Sequence, residues 1–179
     1  MTSPVRSVLE AGSRSNSEVA LCLFDSGAHL GRFSIDQLAA GHRDLGEWPW
    51  MRHLHVPVRM ADPRSASIGE SRGRWLFWKH GIPAPDLQVE VRDDRGALLG
   101  ICDWGWHEYG LYGEFDGRVK YGRLLRPGQE PGDVVFEEKR REDVIREASG
   151  RRMFRLVWDD YHHSGRTAER IRRLMRRTG

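Results

Sequence analysis

The sequence predicts an α/β domain around a mixed sheet of about four strands flanked by helices, with a small helical N-terminal segment. Residues 87–91 (LQVEV) alternate apolar and polar side chains at period two, which is typical of a half-buried strand. The turn sequence DDRG at 93–96 leads into a second predicted strand at 97–103, and a glycine-containing connector leads into a third at 111–114. Residues 153–158 predict a fourth, buried strand.

Helices are predicted before, between and after these strands. Residues 1–46 are predicted to be helical, with segments opening at Ser17 and Ser34, whose hydroxyls can cap exposed backbone amides. Further helices are predicted at 68–80, at 134–148 and, with an apolar stripe of Ala168, Ile171, Leu174 and Met175, near the end of the chain. We therefore predict a helical N-terminal segment at 1–60 and the sheet-containing domain at 61–179.

Length and composition limit the class of protein. At 179 residues the chain is long enough for one domain with a small appendage. Charged residues make up 31% of it, mean hydropathy is −0.64, and neither a membrane span nor a signal peptide is recognisable. We expect a cytoplasmic protein without a membrane partner, with Cys22 and Cys102 as reduced thiols.

Basic residues are concentrated at the end of the chain. The net charge is only +3, but residues 166–179 contain six arginines against one glutamate. An arginine-rich helix face suits a polyanion such as nucleic acid. A solvated face that keeps the protein soluble explains the same pattern, and the charge alone does not decide between them.

Three acidic residues fall at the ends of neighbouring predicted strands. Asp103 ends one apolar run, and Glu114 and Asp116, two positions apart, share a face at the end of the next. Carboxylates held this close need a cation or a shared proton, and Mg²⁺ prefers such oxygen ligands. The alternative is a solvated hairpin end, because Asp116 and Gly117 are ordinary turn formers.

Other constellations are less specific. Ser67 and Glu70 have the spacing of a helix-capping box, although the same glutamate could also bind metal or orient water. The histidine pairs lack a third ligand for zinc, and neither a phosphate-binding glycine loop nor a Ser-His-Asp arrangement is present. Of the tryptophans, Trp104 and Trp106, beside Asp103, are the candidates for base stacking.

Several of these motifs together resemble a known superfamily. They are residues 70–72 (ESR), 87–91 (LQVEV), 113–121 (GEFDGRVKY), 138–143 (EKRRED) and 155–158 (RLVW). The pattern resembles the restriction-endonuclease-like, PD-(D/E)XK superfamily, and within it domains related to very short patch repair endonucleases. It is most similar to the C-terminal domain of AbiE-type (type IV) antitoxin-like proteins, in which a winged helix precedes this domain. Residues 2–10 resemble the connecting segment between the two.

The resemblance implies hydrolysis of DNA phosphodiester bonds with Mg²⁺ or Mn²⁺. By position, Asp103 and Glu114 would be the metal ligands, Glu70 an accessory acid, and Lys120 the cation that stabilises transition-state charge. Asp116, which we also predict to be a catalytic residue, stands where the common motif has lysine. Either Lys120 supplies the missing charge, or the domain has lost catalysis and binds nucleic acid or a partner protein in a toxin-antitoxin or defence setting.

The implied partner is DNA, with a second copy of the chain, a cognate toxin or another protein as further candidates. We predict that DNA phosphates are contacted by Arg118, Arg123, Arg126, Arg140, Arg141, Arg172, Arg173, Arg176 and Arg177.

Overall fold

The computed structural model describes residues 3–117 and 150–176, which belong to two compact units, Met1–Pro83 and Ala84–Gly179. The first unit is helical and the second contains the sheet. The α/β class and the helical N-terminal segment are confirmed. The predicted helix at 134–148 lies outside the described residues.

Five α-helices make up the described part of the first unit. They are α1 (Pro4–Ser13), α2 (Ser17–His29), α3 (Ile35–Asp44), α4 (His55–Met60), which follows a 3₁₀ turn at Arg52–Leu54, and α5 (Ile68–Lys79). Side-chain caps explain several of the starts. Ser34 and Gln37 form a reciprocal capping box on α3, and the Asn16 side chain accepts from the Val19 amide at the start of α2.

The first unit has its own hydrophobic core. Leu9, Phe24, Leu38, Met51 and Leu54 are almost completely buried. Short helices are marginal in isolation, so this shared burial is what stabilises them.

A buried ion pair joins α5 to this core. Asp25 of α2 is fully buried, and its Oδ2 accepts a 2.7 Å hydrogen bond from Arg74 Nη1. Asp25 Oδ1 accepts from the Asp62 amide at 2.9 Å, and Arg74 also donates to the Met60 carbonyl. Burial raises the pKa of Asp25, whereas Arg74 acts to lower it. The predicted boundary at residues 60 and 61 differs from the division after Pro83 because these contacts place α5 in the helical unit.

The second unit contains the predicted mixed sheet of four strands. Its strands are β1 (Asp86–Arg92), β2 (Leu98–Trp106), β3 (Leu111–Phe115) and β4 (Arg152–Leu156), in the order β1-β2-β3-β4. The first three form an antiparallel meander, and β4 runs parallel to β3. Two helices follow, α6 (Trp158–His162) and α7 (Ser164–Arg176).

An aromatic cluster fills one part of this unit. Phe154 of β4 packs against Trp104 and Trp106 with ring centroids 6.4 and 5.9 Å apart. Its ring also lies over Gly113, where an added Cβ would come within 2.6 Å of it. The predicted end of the second strand at Asp103 is therefore wrong, because burial of the two tryptophans extends β2 to residue 106.

Helix α7 has the predicted amphipathic pattern. Its buried positions are Thr167, Ala168, Ile171 and Met175. Arg152 of β4 donates to the carbonyls of Leu174 and Tyr109, which ties the helix to the sheet. Within the described ranges, no helix has both the length and the apolar character that a membrane crossing requires.

Candidate acidic site at the end of strand β3

The end of β3 is held in place by three contacts within the second unit. The Asp116 amide donates to the Leu156 carbonyl at 2.8 Å, which extends the pairing with β4 beyond the strand. Trp158 Nε1 donates to the Gly117 carbonyl at 3.2 Å, and the Phe115 ring packs edge-on against Trp158 at 4.9 Å. The backbone that carries Glu114 and Asp116 is therefore fixed by strand pairing on one side and by α6 on the other.

Asp103 reaches this backbone from the neighbouring strand. The residues paired between β2 and β3 run from Trp104 with Gly113 to Trp106 with Leu111. Beyond them, the Asp103 Oδ2 accepts a 2.7 Å hydrogen bond from the Phe115 amide. Because that amide belongs to the peptide bond that follows Glu114, the contact brings the Asp103 carboxylate to the predicted acidic end of β3.

A cation from the fourth strand lies beside the other two carboxylates. Glu114 and Arg155 are direct partners in the parallel pairing of β3 and β4. Arg155 Nη2 lies 3.6 Å from Glu114 Oε2, and its Nη1 lies 3.7 Å from Asp116 Oδ2. Both carboxylates meet one guanidinium, which agrees with the prediction that positions 114 and 116 face the same way.

Four charged side chains meet at the end of β3. They are the carboxylates of Asp103, Glu114 and Asp116 and the guanidinium of Arg155. Glu114 is only 12% exposed and Asp116 only 23%, so solvent screens their charges less than at an open surface.

The donor set fits a hard divalent metal ion. Among residues 3–117 and 150–176 there is no group of three or more His, Cys, Asp and Glu side chains arranged to hold a metal. Mg²⁺, however, commonly uses only one or two protein carboxylates and keeps several waters. Asp103 and Glu114 would supply two such carboxylates, and their assignment as ligands stays a prediction.

Glu70 has a structural role in the first unit. Its backbone amide donates to Ser67 Oγ at 3.2 Å, and its carboxylate accepts from the Ala66 amide at 2.9 Å. The residue is 7% exposed. These contacts cap the start of α5, and the role of Glu70 as an accessory acid stays a prediction.

The remaining predicted site residues divide between α7 and the part of the chain outside the described ranges. On α7, Arg173 and Arg176 are exposed and form no ion pair with any residue in those ranges, while Arg172 is half-buried. Arg170, on the same helix, is paired with Asp160 at 3.0 Å. Outside the described residues lie Lys120, Arg118, Arg123, Arg126, Arg140, Arg141 and Arg177.

The prediction of Trp104 and Trp106 as base-stacking residues is wrong. They are 0% and 4% exposed and belong to the aromatic cluster around Phe154. Sequence position beside Asp103 suggested exposure, but β2 continues through both residues and buries their indoles.

Sequence reasoning also missed Arg155 as a member of the site. Its place beside Glu114 depends on the parallel register of β3 and β4, which pairs residues about forty positions apart. The signal that could have identified it is the RLVW motif at 155–158, which begins with this arginine.

Comparisons with known proteins identify no relative. No family model matches the sequence, and no curated protein or solved structure matches it. The resemblance to restriction-endonuclease-like domains therefore rests on the sequence motifs alone.

Proposed function

We propose that the protein is a metal-dependent endonuclease that hydrolyses DNA phosphodiester bonds at the end of β3. The observation that carries this proposal is the 2.7 Å hydrogen bond from the Phe115 amide to Asp103 Oδ2, which joins the first predicted metal ligand to the strand of the second. The order of the four strands and the partial burial of Glu114 and Asp116 support it.

The residues at the end of β3 would have separate roles in the reaction. Asp103 and Glu114 would hold Mg²⁺ or Mn²⁺, which when bound activates water and offsets charge on the phosphate. The Phe115 amide orients the Asp103 carboxylate, and Arg155 keeps Glu114 and Asp116 side by side. Arg155 would also offer a positive charge to a phosphate bound at these carboxylates.

DNA binding would rest on the basic face of α7. Arg173 and Arg176 are three residues apart and therefore lie on neighbouring turns of one helix face. Exposed guanidinium groups bind phosphate oxygens strongly and without sequence preference.

The test is cleavage of supercoiled plasmid and of single-stranded DNA with Mg²⁺ or Mn²⁺. Wild type is compared with a double variant, Asp103→Asn and Glu114→Gln, which removes two charges and keeps side-chain size. Glu90→Gln is the matched control, because Glu90 is exposed and lies beside Arg92 on β1 rather than at the acidic site. We expect nicking by wild type and by the control, and none by the double variant. Nicking by all three would contradict the assignment.

One observation favours a second candidate, a nuclease-like module that binds DNA or a partner protein without cleaving it. Arg155 already supplies a cation to Glu114 and Asp116, as a domain without a catalytic metal would require. Under this alternative the wild type binds DNA equally well with and without Mg²⁺ and does not nick it.

A further inference from the structure

A groove in the first unit lies between two surface segments that the proposed nuclease site does not use. One wall is the turn from α1 to α2, and the other comes from the segment before α4. The lining residues are Ser13, Arg14, Ser15, Asn16, Ser17, Trp50 and His53, and the volume is about 580 Å³. Ligand sites usually range from roughly 300 to 1,000 Å³, so the groove has room for one nucleotide.

Trp50 gives the groove an exposed aromatic surface. Its side chain is 77% exposed, whereas the next residue, Met51, is 1% exposed and Leu54 is fully buried. The Leu54 amide donates to the Met51 carbonyl at 3.0 Å. The Trp50 indole therefore faces solvent, while the residues that follow it are anchored in the core of the first unit.

The polar walls of the groove are tied together. Ser17 Oγ donates to the His53 carbonyl at 3.1 Å, and His53 Nε2 lies 3.3 Å from the Gly12 carbonyl oxygen. These bonds link the α1–α2 turn to the segment that carries Trp50. The two walls therefore keep their spacing, which lowers the entropic cost of binding.

The charge of the lining favours an anion. It contains Arg14 and the ionisable His53 and no carboxylate. Arg14 is exposed and makes no ion pair with any residue of the described chain. Neighbouring Trp48, by contrast, is outside the lining and lies under the Arg6 guanidinium at 5.1 Å.

We infer that this groove binds a nucleotide unit of single-stranded nucleic acid, with the base stacked on Trp50 and the phosphate bound by Arg14. A planar base matches the exposed indole, and a phosphate matches a guanidinium that has no carboxylate beside it. The groove lies within the first unit, and binding there needs no metal ion and no nuclease activity.

The test is fluorescence anisotropy of the full chain with a labelled oligothymidylate of about twelve nucleotides, within the usual length of a single-strand site, in EDTA so that cleavage plays no part. Stacking of one base is worth about 1–3 kcal/mol, so Trp50→Ala should weaken binding about fivefold or more, while Trp50→Phe retains most of the affinity. Arg14→Gln should lower the slope of log affinity against log salt by about 0.7. Trp48→Phe is the control and should change neither quantity.

Two competitors identify what the groove recognises. If thymidine monophosphate displaces the labelled strand, the groove also binds a free nucleotide. If it does not, the groove binds a nucleotide only as part of a strand. An oligoglutamate peptide that displaces the strand as well as unlabelled oligothymidylate does would overturn the inference, because charge alone would then be recognised. Unchanged binding by Trp50→Ala and Arg14→Gln would also overturn it.

Discussion

The guanidinium of Arg155 lies 3.6 Å from the Glu114 carboxylate, where β4 pairs in parallel with β3. The same group lies 3.7 Å from Asp116, so one arginine bridges two partly buried acids two positions apart. This arrangement makes Arg155 the residue whose removal best reveals whether the acidic cluster also accepts a metal ion.

We expect Arg155→Gln to lower the free energy of unfolding by about 1 kcal/mol in EDTA, because partly exposed pairs contribute modestly. Arg155→Gln removes one cation from beside Glu114 and Asp116, and a divalent cation bound there should replace its charge. The measurement is thermal unfolding with and without Mg²⁺. Recovery by Mg²⁺ supports a metal site, and an equal loss of stability in both conditions contradicts it. Arg92→Gln, which disrupts an exposed pair, is the control.

The arginines of α7 should determine how DNA binding depends on salt. Replacing Arg173 and Arg176 with glutamine should reduce the slope of log affinity against log salt by up to about 0.9 for each phosphate that is no longer neutralised. The control is Arg92→Gln with Arg95→Gln, which removes the same charge from the β1–β2 hairpin. An unchanged slope in the α7 variant would mean that this face is only solvated.

The buried pair of Asp25 and Arg74 should stabilise the first unit. We expect Arg74→Met to lower the free energy of unfolding by about 3–5 kcal/mol at neutral pH, because it leaves the Asp25 carboxylate buried without its cation. Arg72→Met is the matched control. It removes the more exposed pair with Glu18 and should cost much less.

The loss of stability in Arg74→Met should depend on pH. Burial already raises the pKa of Asp25 above its unfolded value, and removing Arg74 raises that pKa further. A raised pKa means that the folded state holds its proton more tightly, so stability falls as pH rises through the folded value. In urea unfolding, the free energy of unfolding of Arg74→Met should therefore fall below that of wild type by less at a pH of about 5 than at about 7.5. If the difference in free energy of unfolding does not change with pH, ionisation of Asp25 is not the cause of the lost stability.

Cys22 should be unreactive in the folded protein. Burial, together with the nearby Asp25, raises the pKa of its thiol to about 12, well above the value near 8.5 of a free cysteine. Because the thiolate is the reactive form, a Cys102→Ala variant should react with a disulfide reagent at a pH of about 8.5 only as fast as it unfolds. The same variant in denaturant is the control, and rapid native labelling would contradict the burial.

The sequence predicted the fold class better than it predicted the surroundings of the acidic residues. The strand at 87–91 and the stripe of α7 follow from local periodicity, which is visible in a short window. The contact of Asp103 with the end of β3 could also be predicted from the sequence, because the two strands are neighbours in the chain.

Features that depend on contacts between residues far apart in the sequence could not be predicted in the same way. Arg155 reaches Glu114 only through a parallel pairing whose register no local pattern specifies. Trp104 and Trp106 are buried because Phe154, far along the chain, packs against them. The membership of α5 in the helical unit likewise depends on Arg74 meeting Asp25.

The proposal that Asp103 and Glu114 form a metal site can be checked without any activity assay, by titrating Mn²⁺ and measuring binding by electron paramagnetic resonance. Wild type and Glu90→Gln should bind the ion, whereas Asp103→Asn and Glu114→Gln should each weaken binding by at least about tenfold, as loss of a charged ligand requires. No binding by wild type, or equal binding by all four proteins, would contradict the proposal.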